Sequence, residues 1–424
     1  MVIGLLFIAG SFSAVTVPLA GSNLRLEMVA VPVLAAMLIW QQPRTLRELS
    51  GALKIPMALV GIYLLSHFAS SLLFAPMPAE SLKIALWLAL SVAACFVAAA
   101  LAWRRVPRIN LGPWIVAGAS IQVAVGLAAV FSQMVFATTW GVMARDTLLG
   151  KAIGLSWEAN ILSINVAMAL PFLVWVAPEW TLPRIGRIAL LAFLSLGLGL
   201  AFSRGGLLAF LVGAGSALAL SYASTQTPTR GRQALSIVAT MAAVLLLAVG
   251  TMQILDFAGE RLAAARCVIV VKEGEVLVPQ DGLACDPGQV AEHRVVGTGD
   301  TWEIRLRNMK TALAEVPESP IVGLGTDSYR QEHIEPTCAC PAFINNLTVA
   351  TLYESGVVGL LALAGFVACV LLIAWRNRAW AHLAAVVAMV VGFQFTDAMR
   401  FESNWILMGV VLGLTSLAGH DPPG

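Results

Sequence analysis

Charged residues are scarce in this sequence. They make up 12% of the 424 residues, whereas an ordinary soluble domain carries about a quarter. Neither sign is in excess, because 26 Lys and Arg stand against 24 Asp and Glu for a net charge of +2, so no basic surplus suggests nucleic-acid binding. With 59% hydrophobic residues, the chain fits neither a soluble globular enzyme nor a disordered protein. A polytopic membrane protein is the class that is left.

Long hydrophobic runs are what the sequence has instead of charge. Crossing a hydrocarbon core takes about 20 apolar residues of α-helix. The runs predict an all-α membrane protein with about 12 transmembrane helices, and the first run, which follows no basic residue, is predicted to be retained and not cleaved as a signal peptide. The twelve runs are residues 2–20, 28–40, 55–75, 84–103, 113–137, 159–176, 188–202, 207–223, 234–255, 348–375, 379–396 and 405–419.

Basic residues in the short connections predict the orientation of these helices. One set of alternate connections holds twelve Lys and Arg, and the opposite set holds six. Because basic residues are retained on the cytoplasmic side, both termini are predicted to be cytoplasmic and the one long hydrophilic segment periplasmic. The predicted organisation is nine helices in residues 1–255, a periplasmic loop domain in residues 256–347 and three helices in residues 348–424.

The long loop carries patterns of its own. Residues 267–271, a Lys-Glu-Gly-Glu turn and residues 276–278 predict a β-hairpin. Asp300 followed by Glu303 resembles a capping box, and it predicts a short helix that stops before Pro317. One face of that helix is apolar, and it could lie on the membrane, cap the helix bundle or pack on the rest of the loop. That face carries Trp302, Leu306, Met309, Leu313 and Val316.

Cysteine is rare, with six in the chain, and four of the six lie in this loop. In an oxidising compartment these four would pair, and each of Cys338 and Cys340 is expected to bond back to Cys267 or Cys285. A zinc site is the alternative, but Cys267 and Cys285 do not form a Cys-x-x-Cys clip.

Arginines near the outer ends of the predicted helices are candidates for anion binding. Arg204 lies in a tight Ser203-Arg204-Gly205-Gly206 turn, where glycine amides and a guanidinium could hold a phosphate. The alternative is an arginine that only reaches for the membrane interface. Weaker candidates, for which a solvated or interfacial position is the alternative, lie on the loop helix and at other positions of the same leaflet: Arg305, Arg307, Arg145 and Arg400.

Two further residues could carry acid or base chemistry. Asp397 ends the eleventh hydrophobic run, where it could equally form a salt bridge with Arg400. His333 is one of two histidines in the loop and is flanked by Glu332 and Glu335, so a solvated surface histidine is the alternative.

Several segments, taken in order, resemble the signature of the O-antigen ligase and polymerase superfamily. Arg305 starts a loop helix, a Pro320-Ile-Val-Gly-Leu-Gly segment follows, and Asn345-Asn346 precedes Gly356-Val-Val-Gly359 with nine residues between. The Ser-Arg-Gly turn at Arg204 and the segment around Asn160 match upstream landmarks of that superfamily. The resemblance covers about residues 155–400 and implies a structural role for the two glycines of the last motif.

One position departs from the superfamily pattern. A His-Asn pair is typical where this sequence has Asn345-Asn346, and an amide cannot act as a general base at neutral pH. The base is then His333, or a carboxylate such as Asp397 or Glu354, or catalysis relies on electrostatics alone. We favour His333 because it is the nearest side chain that titrates near neutral pH, with the two asparagines orienting the acceptor.

The resemblance implies glycan transfer at the outer, periplasmic face of the bacterial inner membrane. The donor would be a glycan on a polyprenyl diphosphate, typically undecaprenyl diphosphate, and the acceptor lipid A-core, with inversion expected and arginines stabilising the departing diphosphate. No Asp-x-Asp motif occurs, so no metal and no cofactor are expected.

Three other functions stay open. An O-antigen polymerase and a protein-glycosylating ligase belong to the same superfamily, and sequence motifs separate them poorly from the lipopolysaccharide ligase. A lipid-linked oligosaccharide flippase would be expected to show internal repeats and charges deep in its spans, and the sequence shows no convincing repeat.

Overall fold

The structure is a computed structural model that describes residues 1–12, 17–19, 22–24, 26–103, 111–137, 140–143, 149–156, 158–176, 182–224, 230–265, 268–272, 275–276, 291–295, 301–335, 340–396 and 399–417. Within these residues the helices α1 to α15 are, in chain order, Val2–Ser11, Leu26–Gln41, Pro43–Ala52, Lys54–Leu73, Pro78–Ala102, Gly112–Phe136, Ala159–Trp175, Arg184–Leu200, Arg204–Ser224, Arg230–Ala265, Thr301–Glu315, Ser328–Glu332, Leu347–Arg376, Trp380–Gly392 and Glu402–Gly413. The short strands β1 to β9 are Val17–Leu19, Ser22–Leu24, Val142–Met143, Lys151–Ala152, Val268–Lys272, Glu275–Val276, Ala291–Val295, Ile334–Glu335 and Cys340–Pro341.

Each predicted hydrophobic run corresponds to a helix in the described part of the chain. Six helices, α4, α5, α6, α9, α10 and α13, are long and apolar enough to cross a membrane. The other six runs correspond to α1, α2, α7, α8, α14 and α15, which have 10 to 17 residues. The class of all-α, multi-pass membrane protein is therefore confirmed, while twelve crossings and a periplasmic long loop stay predictions.

The first hydrophobic run forms a shorter helix than predicted. α1 ends at Ser11, and Val17–Leu19 pairs antiparallel with Ser22–Leu24. Pro18 contributes to this difference, because a proline inside a helix has no N–H to donate and clashes with the preceding turn. The prediction of one helix over residues 2–20 was therefore wrong for residues 17–19.

The helices pack into a bundle whose outer surface is apolar. α14 packs along α9 and α7, α15 along α5, and α13 along α4. Large apolar side chains stay exposed along the long helices, among them Leu65 at 68%, Leu246 at 74% and Leu361 at 65%. Because an apolar surface of this extent is unfavourable in water and suited to lipid, it agrees with the membrane class.

The hairpin predicted in the long loop is present. β5 and β6 pair antiparallel through Val271 with Val276 and Lys272 with Glu275, and β7 joins β5 in parallel, which the sequence did not predict. The loop therefore carries a small three-stranded sheet.

The loop helix is also present as α11, and it ends at Glu315, before Pro317 as predicted, while Asp300 lies outside the described residues. On its apolar face, Met309 and the adjoining Val316 pack against a small buried cluster that includes Tyr329 and Tyr353. This face therefore packs at least partly on α12 of the loop and on α13 of the bundle, which agrees with two of the three alternatives.

α13 is interrupted at Gly356, whose backbone angles of φ 65° and ψ −171° fall in a region essentially restricted to glycine. The 320–325 segment docks at this break. Four backbone hydrogen bonds join the two: Val357 N to Pro320 O, Val358 N to Ile321 O, Leu324 N to Tyr353 O and Gly325 N to Glu354 O. Gly323 also has a positive φ, and a Cβ there would lie 2.5 Å from the backbone of Glu354. The 320–325 segment and the break at Gly356, which carry the two glycine motifs of the sequence, therefore form one backbone-bonded joint.

Candidate functional site

Residues 393–396, directly after α14, form a meeting point for three other parts of the chain. Four contacts define it: Leu347 N to Phe393 O at 2.8 Å, Asn346 Nδ2 to Gln394 O at 3.1 Å, Arg305 Nη1 to Phe395 O at 2.9 Å and Thr396 Oγ1 to Glu158 Oε2 at 2.8 Å. The starts of α7 and α13 and the loop helix α11 therefore meet at one end of the bundle.

Both terminal guanidinium nitrogens of Arg305 contact oxygen acceptors. Its Nη1 donates to Phe395 O, and its Nη2 lies 3.2 Å from Glu158 Oε1. The Arg305 side chain is 21% exposed. Because a guanidinium carries five N–H donors, these two contacts leave donors that an anion could use. Arg305 is thus a fixed and partly accessible cation, which suits phosphate binding.

A chain of hydrogen bonds runs from Glu158 to the turn that carries Arg204. Its links are Asn160 Nδ2 to Glu158 Oε1 at 2.6 Å, Ser203 Oγ to Asn160 Oδ1 at 2.8 Å and Gly206 N to Ser203 Oγ at 3.1 Å. Ser203 thereby satisfies an amide in the first turn of α9. Asn160 lies in the first turn of α7, and Glu158 occupies the N-cap position of that helix.

Arg204 is the first residue of α9, and its side chain is exposed. The neighbouring Gly205 packs on Phe395, since a Cβ at Gly205 would lie 2.8 Å from a ring carbon of that residue. Phe395 therefore contacts both Arg305 and the turn that carries Arg204, although these two arginines are far apart in sequence.

A second charged cluster surrounds Arg400. Its Nη1 lies 2.8 Å from Asp327 Oδ1 and its Nη2 lies 2.7 Å from Glu354 Oε1. Glu354 Oε1 also accepts from the backbone N of Asp327 at 2.9 Å, and Asp327 Oδ2 pairs with Arg330 Nε at 2.9 Å. Arg400 thus joins the start of α15 to the break in α13.

His67 of α4 lies against this second cluster. Its Nδ1 is 2.9 Å from Thr326 Oγ1 and 3.9 Å from Glu354 Oε2, and Ser71 Oγ donates to Thr326 Oγ1 at 3.0 Å. His67 is 2% exposed, and its Nε2 has no hydrogen-bond partner among the described residues. These contacts fix the Pro320–Gly325 segment and Thr326 against α4.

His333 follows α12 and is engaged at both ring nitrogens. Nε2 lies 3.0 Å from Glu315 Oε1 and Nδ1 lies 3.1 Å from the Tyr329 carbonyl oxygen, while the ring stacks on Tyr329 at 4.1 Å between centroids. Tyr353 Oη donates to the other oxygen of Glu315 at 2.8 Å. The group therefore ties the end of α11 to α12 and α13.

Glu315, Glu332 and His333 also present ligand atoms within 4.8 Å of one another, an arrangement that could hold a cation. Both Glu315 oxygens already accept hydrogen bonds, one from Tyr353 and one in the contact with His333. A cation would have to replace these contacts, so we describe the group as a hydrogen-bonded cluster.

The two asparagines predicted to orient the acceptor have different surroundings. Asn346 is the N-cap of α13, where its Oδ1 accepts from Val349 N at 3.0 Å while its Nδ2 donates to Gln394 O. Asn345 is half-buried. Asn346, which is also half-buried, is therefore committed to the fold on both sides of its amide.

The structure describes some of the remaining predicted site residues and leaves out others. Arg307 is exposed on α11, and Gly359 packs against Ser355 and Ser66. Outside the described residues lie Asp397, Arg145, Cys267, Cys285 and Cys338, and the side chain of Cys340 is also not described. Their catalytic, binding and disulfide roles stay predictions.

Several ionisable residues of these clusters were not predicted as site residues, and three of them show which sequence signals were usable. Glu158 lies two residues before the Asn160 landmark, which was a usable signal. His67 lies inside a hydrophobic run, where an ionisable residue is itself a functional-site signal. Asp327 had no signal, because its role depends on pairing with Arg400, 73 residues away in sequence.

Comparison with known protein families gives a match that includes part of this site. Residues 189–364 match the model of a protein family described as O-antigen ligase. This match supports the O-antigen ligase superfamily and a glycosyl-transferring function of the ligase or polymerase type. It includes Arg204, Arg305 and both glycine motifs, whereas Glu158 and Arg400 lie outside it. No curated protein matches the sequence.

Proposed function

We propose that this protein is an O-antigen ligase, which transfers a glycan from undecaprenyl diphosphate to the lipid A-core oligosaccharide during lipopolysaccharide synthesis. The observation that carries the proposal is the placement of Arg305. Within the part of the chain that matches the family model, this arginine is held by Glu158 and Phe395 with donors to spare, beside the turn of Arg204. A diphosphate leaving group needs fixed positive charge of this kind.

In the proposed reaction, a hydroxyl of the acceptor sugar attacks the anomeric carbon of the donor glycan. The bond from that carbon to the diphosphate oxygen breaks, and its electron pair leaves with the diphosphate. Arg305 and Arg204 stabilise the negative charge that develops there. Attack opposite the leaving group inverts the anomeric centre.

The base that takes the proton from the acceptor stays a prediction. For His333 to act, its ring must give up one of its present contacts, because both nitrogens face oxygen acceptors and neither directs a lone pair towards open space. Glu354 is engaged by Arg400 and by the Asp327 amide. The role of Asp397 rests on the sequence alone.

We place the site at the periplasmic face of the bacterial inner membrane, on the twelve-to-six distribution of basic residues in the short connections. Impermeant thiol labelling of whole cells tests this placement, read at the substituted residue by mass spectrometry. Gly297→Cys should be modified and Gly231→Cys should not. The reverse pattern would invert the topology and remove the periplasmic site.

Reconstitution separates the candidate functions. The purified protein in lipid nanodiscs is given a carrier-linked glycan and either lipid A-core or a second carrier-linked glycan as acceptor. Ligated lipid A-core identifies the ligase, and a lengthened carrier-linked glycan identifies the polymerase. Transfer to neither acceptor by folded protein would contradict a glycosyltransferase of this type. Carrier-linked glycan that crosses the bilayer unchanged when the protein is placed in sealed liposomes would support a flippase.

A further inference from the structure

We infer that Glu158 is a positioning residue that sets both the orientation of Arg305 and the net charge of the diphosphate site. The inference rests on the proposed function, because it takes Arg305 and Arg204 as the groups that bind the donor diphosphate. It concerns a residue that lies outside the region matched by the family model.

The Glu158 carboxylate accepts hydrogen bonds from three parts of the chain. Oε1 accepts from Arg305 Nη2 at 3.2 Å and from Asn160 Nδ2 at 2.6 Å, and Oε2 accepts from Thr396 Oγ1 at 2.8 Å. With Arg305 it forms an ion pair between side chains that are 23% and 21% exposed. Glu158 therefore brings a fixed negative charge to the site, and its oxygens already face these three donors.

This arrangement determines where Arg305 can point. The guanidinium is held by Glu158 at Nη2 and by the Phe395 carbonyl at Nη1, and both anchors lie at the end of the helix bundle. Its remaining donors therefore face a defined direction before any substrate arrives. Such preorganisation favours catalysis, since a group placed in advance needs no reordering when the leaving group develops its charge.

The same carboxylate also opposes the ligand. Arg305 and Arg204 bring two positive charges to the site, and Glu158 removes one of them. A polyprenyl diphosphate is an anion both as part of the donor and as the released product, so Glu158 lowers the affinity of the site for each. A site without this charge would hold the product diphosphate more tightly and would release it more slowly.

Two substitutions separate the charge from the geometry. In Glu158→Gln the amide oxygen can still accept from Arg305 and Asn160, and Thr396 Oγ1 can turn to accept from the amide nitrogen, so the geometry survives while the charge is lost. In Glu158→Ala both are lost. Glu318→Gln, which removes an exposed acid of the same loop region, is the matched control.

The measurements are the Kd for farnesyl diphosphate, a short soluble probe, and kcat and KM for glycan transfer, all in nanodiscs. Glu158→Gln should lower the Kd about three- to thirtyfold, as expected for removing a unit charge a few ångströms from an anion in a partly solvated site, and should lower the donor KM. Glu158→Ala should lower kcat by about tenfold or more, since Arg305 loses its anchor. Glu318→Gln should match wild type in each measurement.

Equal loss of affinity in both Glu158 variants, or a Kd in Glu158→Gln within about twofold of wild type, would overturn the inference.

If Glu158→Ala does not fold, Thr396→Val takes its place, because it removes one anchor of the carboxylate without changing charge. Thr396→Val should lower kcat and leave the Kd unchanged. Failure of the wild type to transfer glycan, with a tighter Kd in Glu158→Gln, would overturn the proposed function and leave the anion site. Normal transfer by both Glu158 variants would overturn the inference alone.

Discussion

Two arginine–carboxylate clusters lie at the same end of the bundle, and they use their charges differently. Arg400 bridges Asp327 and Glu354, whose side chains are only 6% and 11% exposed. Among the described residues, Arg305 pairs with the Glu158 carboxylate, and the two side chains are 21% and 23% exposed. One cluster therefore holds two carboxylates on one cation. The other leaves guanidinium donors of Arg305 that no described residue takes up, at an accessible position.

The difference indicates which cluster can bind substrate. An anion at Arg400 would compete with two buried carboxylates, each of which would lose its partner in a poorly solvated position. An anion at Arg305 has only to share the guanidinium with one partly solvated carboxylate. We therefore assign Arg400 to holding the break in α13 in place and Arg305 to the substrate, which refines the sequence-based grouping of both as diphosphate ligands.

Removing Arg400 is the most direct test of the difference between the two clusters. Arg400→Gln should destabilise the protein by about 3–5 kcal/mol, because it leaves two buried carboxylates without their shared cation. Thermal unfolding in detergent measures the loss. Arg330→Gln removes the outer partner of Asp327. Because the Arg330 side chain is 42% exposed, this substitution should cost at most about 1 kcal/mol. Equal small effects of both substitutions would contradict the structural role of Arg400.

A second test addresses the joint that carries this cluster. Gly356→Ala should destabilise the protein by about 3 kcal/mol, because alanine is strained at these backbone angles and its Cβ would collide with the Ile321 carbonyl. Gly250→Ala is the control, since a Cβ there meets no atom within 4 Å and alanine favours helix. Wild-type unfolding of Gly356→Ala would show that α13 can close into a continuous helix.

The third test concerns the accessible cluster. Arg305→Ala should lower glycan transfer by about ten- to a hundredfold, the effect of losing a charge-assisted bond worth roughly 1.5–3 kcal/mol. Stability should change little, because Glu158 keeps Asn160 and Thr396 as donors. Arg305→Lys should rescue poorly, since lysine lacks the planar fork.

Arg204→Ala should behave in the same way as Arg305→Ala, with transfer lowered and thermal unfolding unchanged. Wild-type transfer and farnesyl diphosphate binding in both alanine variants would place the diphosphate elsewhere. Loss of transfer together with a large loss of stability in Arg305→Ala would instead make this cluster a structural one, like that of Arg400.

For the charged contacts, the sequence indicated the arginines but not the carboxylates that they meet. Arg305, the turn of Arg204 and the two glycine motifs are local patterns, since residue type and spacing determine helix starts, tight turns and backbone angles. The partner of Arg305 is Glu158, 147 residues away in sequence, and no local pattern specifies which carboxylate it meets. Arg400 was grouped with the diphosphate ligands for the same reason, because its position at a helix end was visible and its two carboxylates were not.

The smallest expected effect concerns His333, which sequence reasoning favours as the base. A well-placed base contributes about 10²–10⁴-fold, but both nitrogens of this ring face oxygen acceptors, Glu315 and the Tyr329 carbonyl. We therefore expect His333→Ala to lower kcat less than tenfold and stability by about 1 kcal/mol, the usual net contribution of a hydrogen bond. The measurement is the pH–rate profile of wild type, His333→Ala and Asp397→Asn.

Loss of more than a hundredfold in His333→Ala, together with loss of the acidic limb of the profile, would restore His333 as the base, because only a neutral imidazole can accept a proton. Loss in Asp397→Asn alone would transfer the role to that carboxylate. Loss in neither variant would leave the reaction to the fixed charges of Arg305 and Arg204. The comparison of the two clusters favours this outcome. The accessible Arg305 would then stabilise the transition state, and the groups around the break in α13 would supply only the shape of the site.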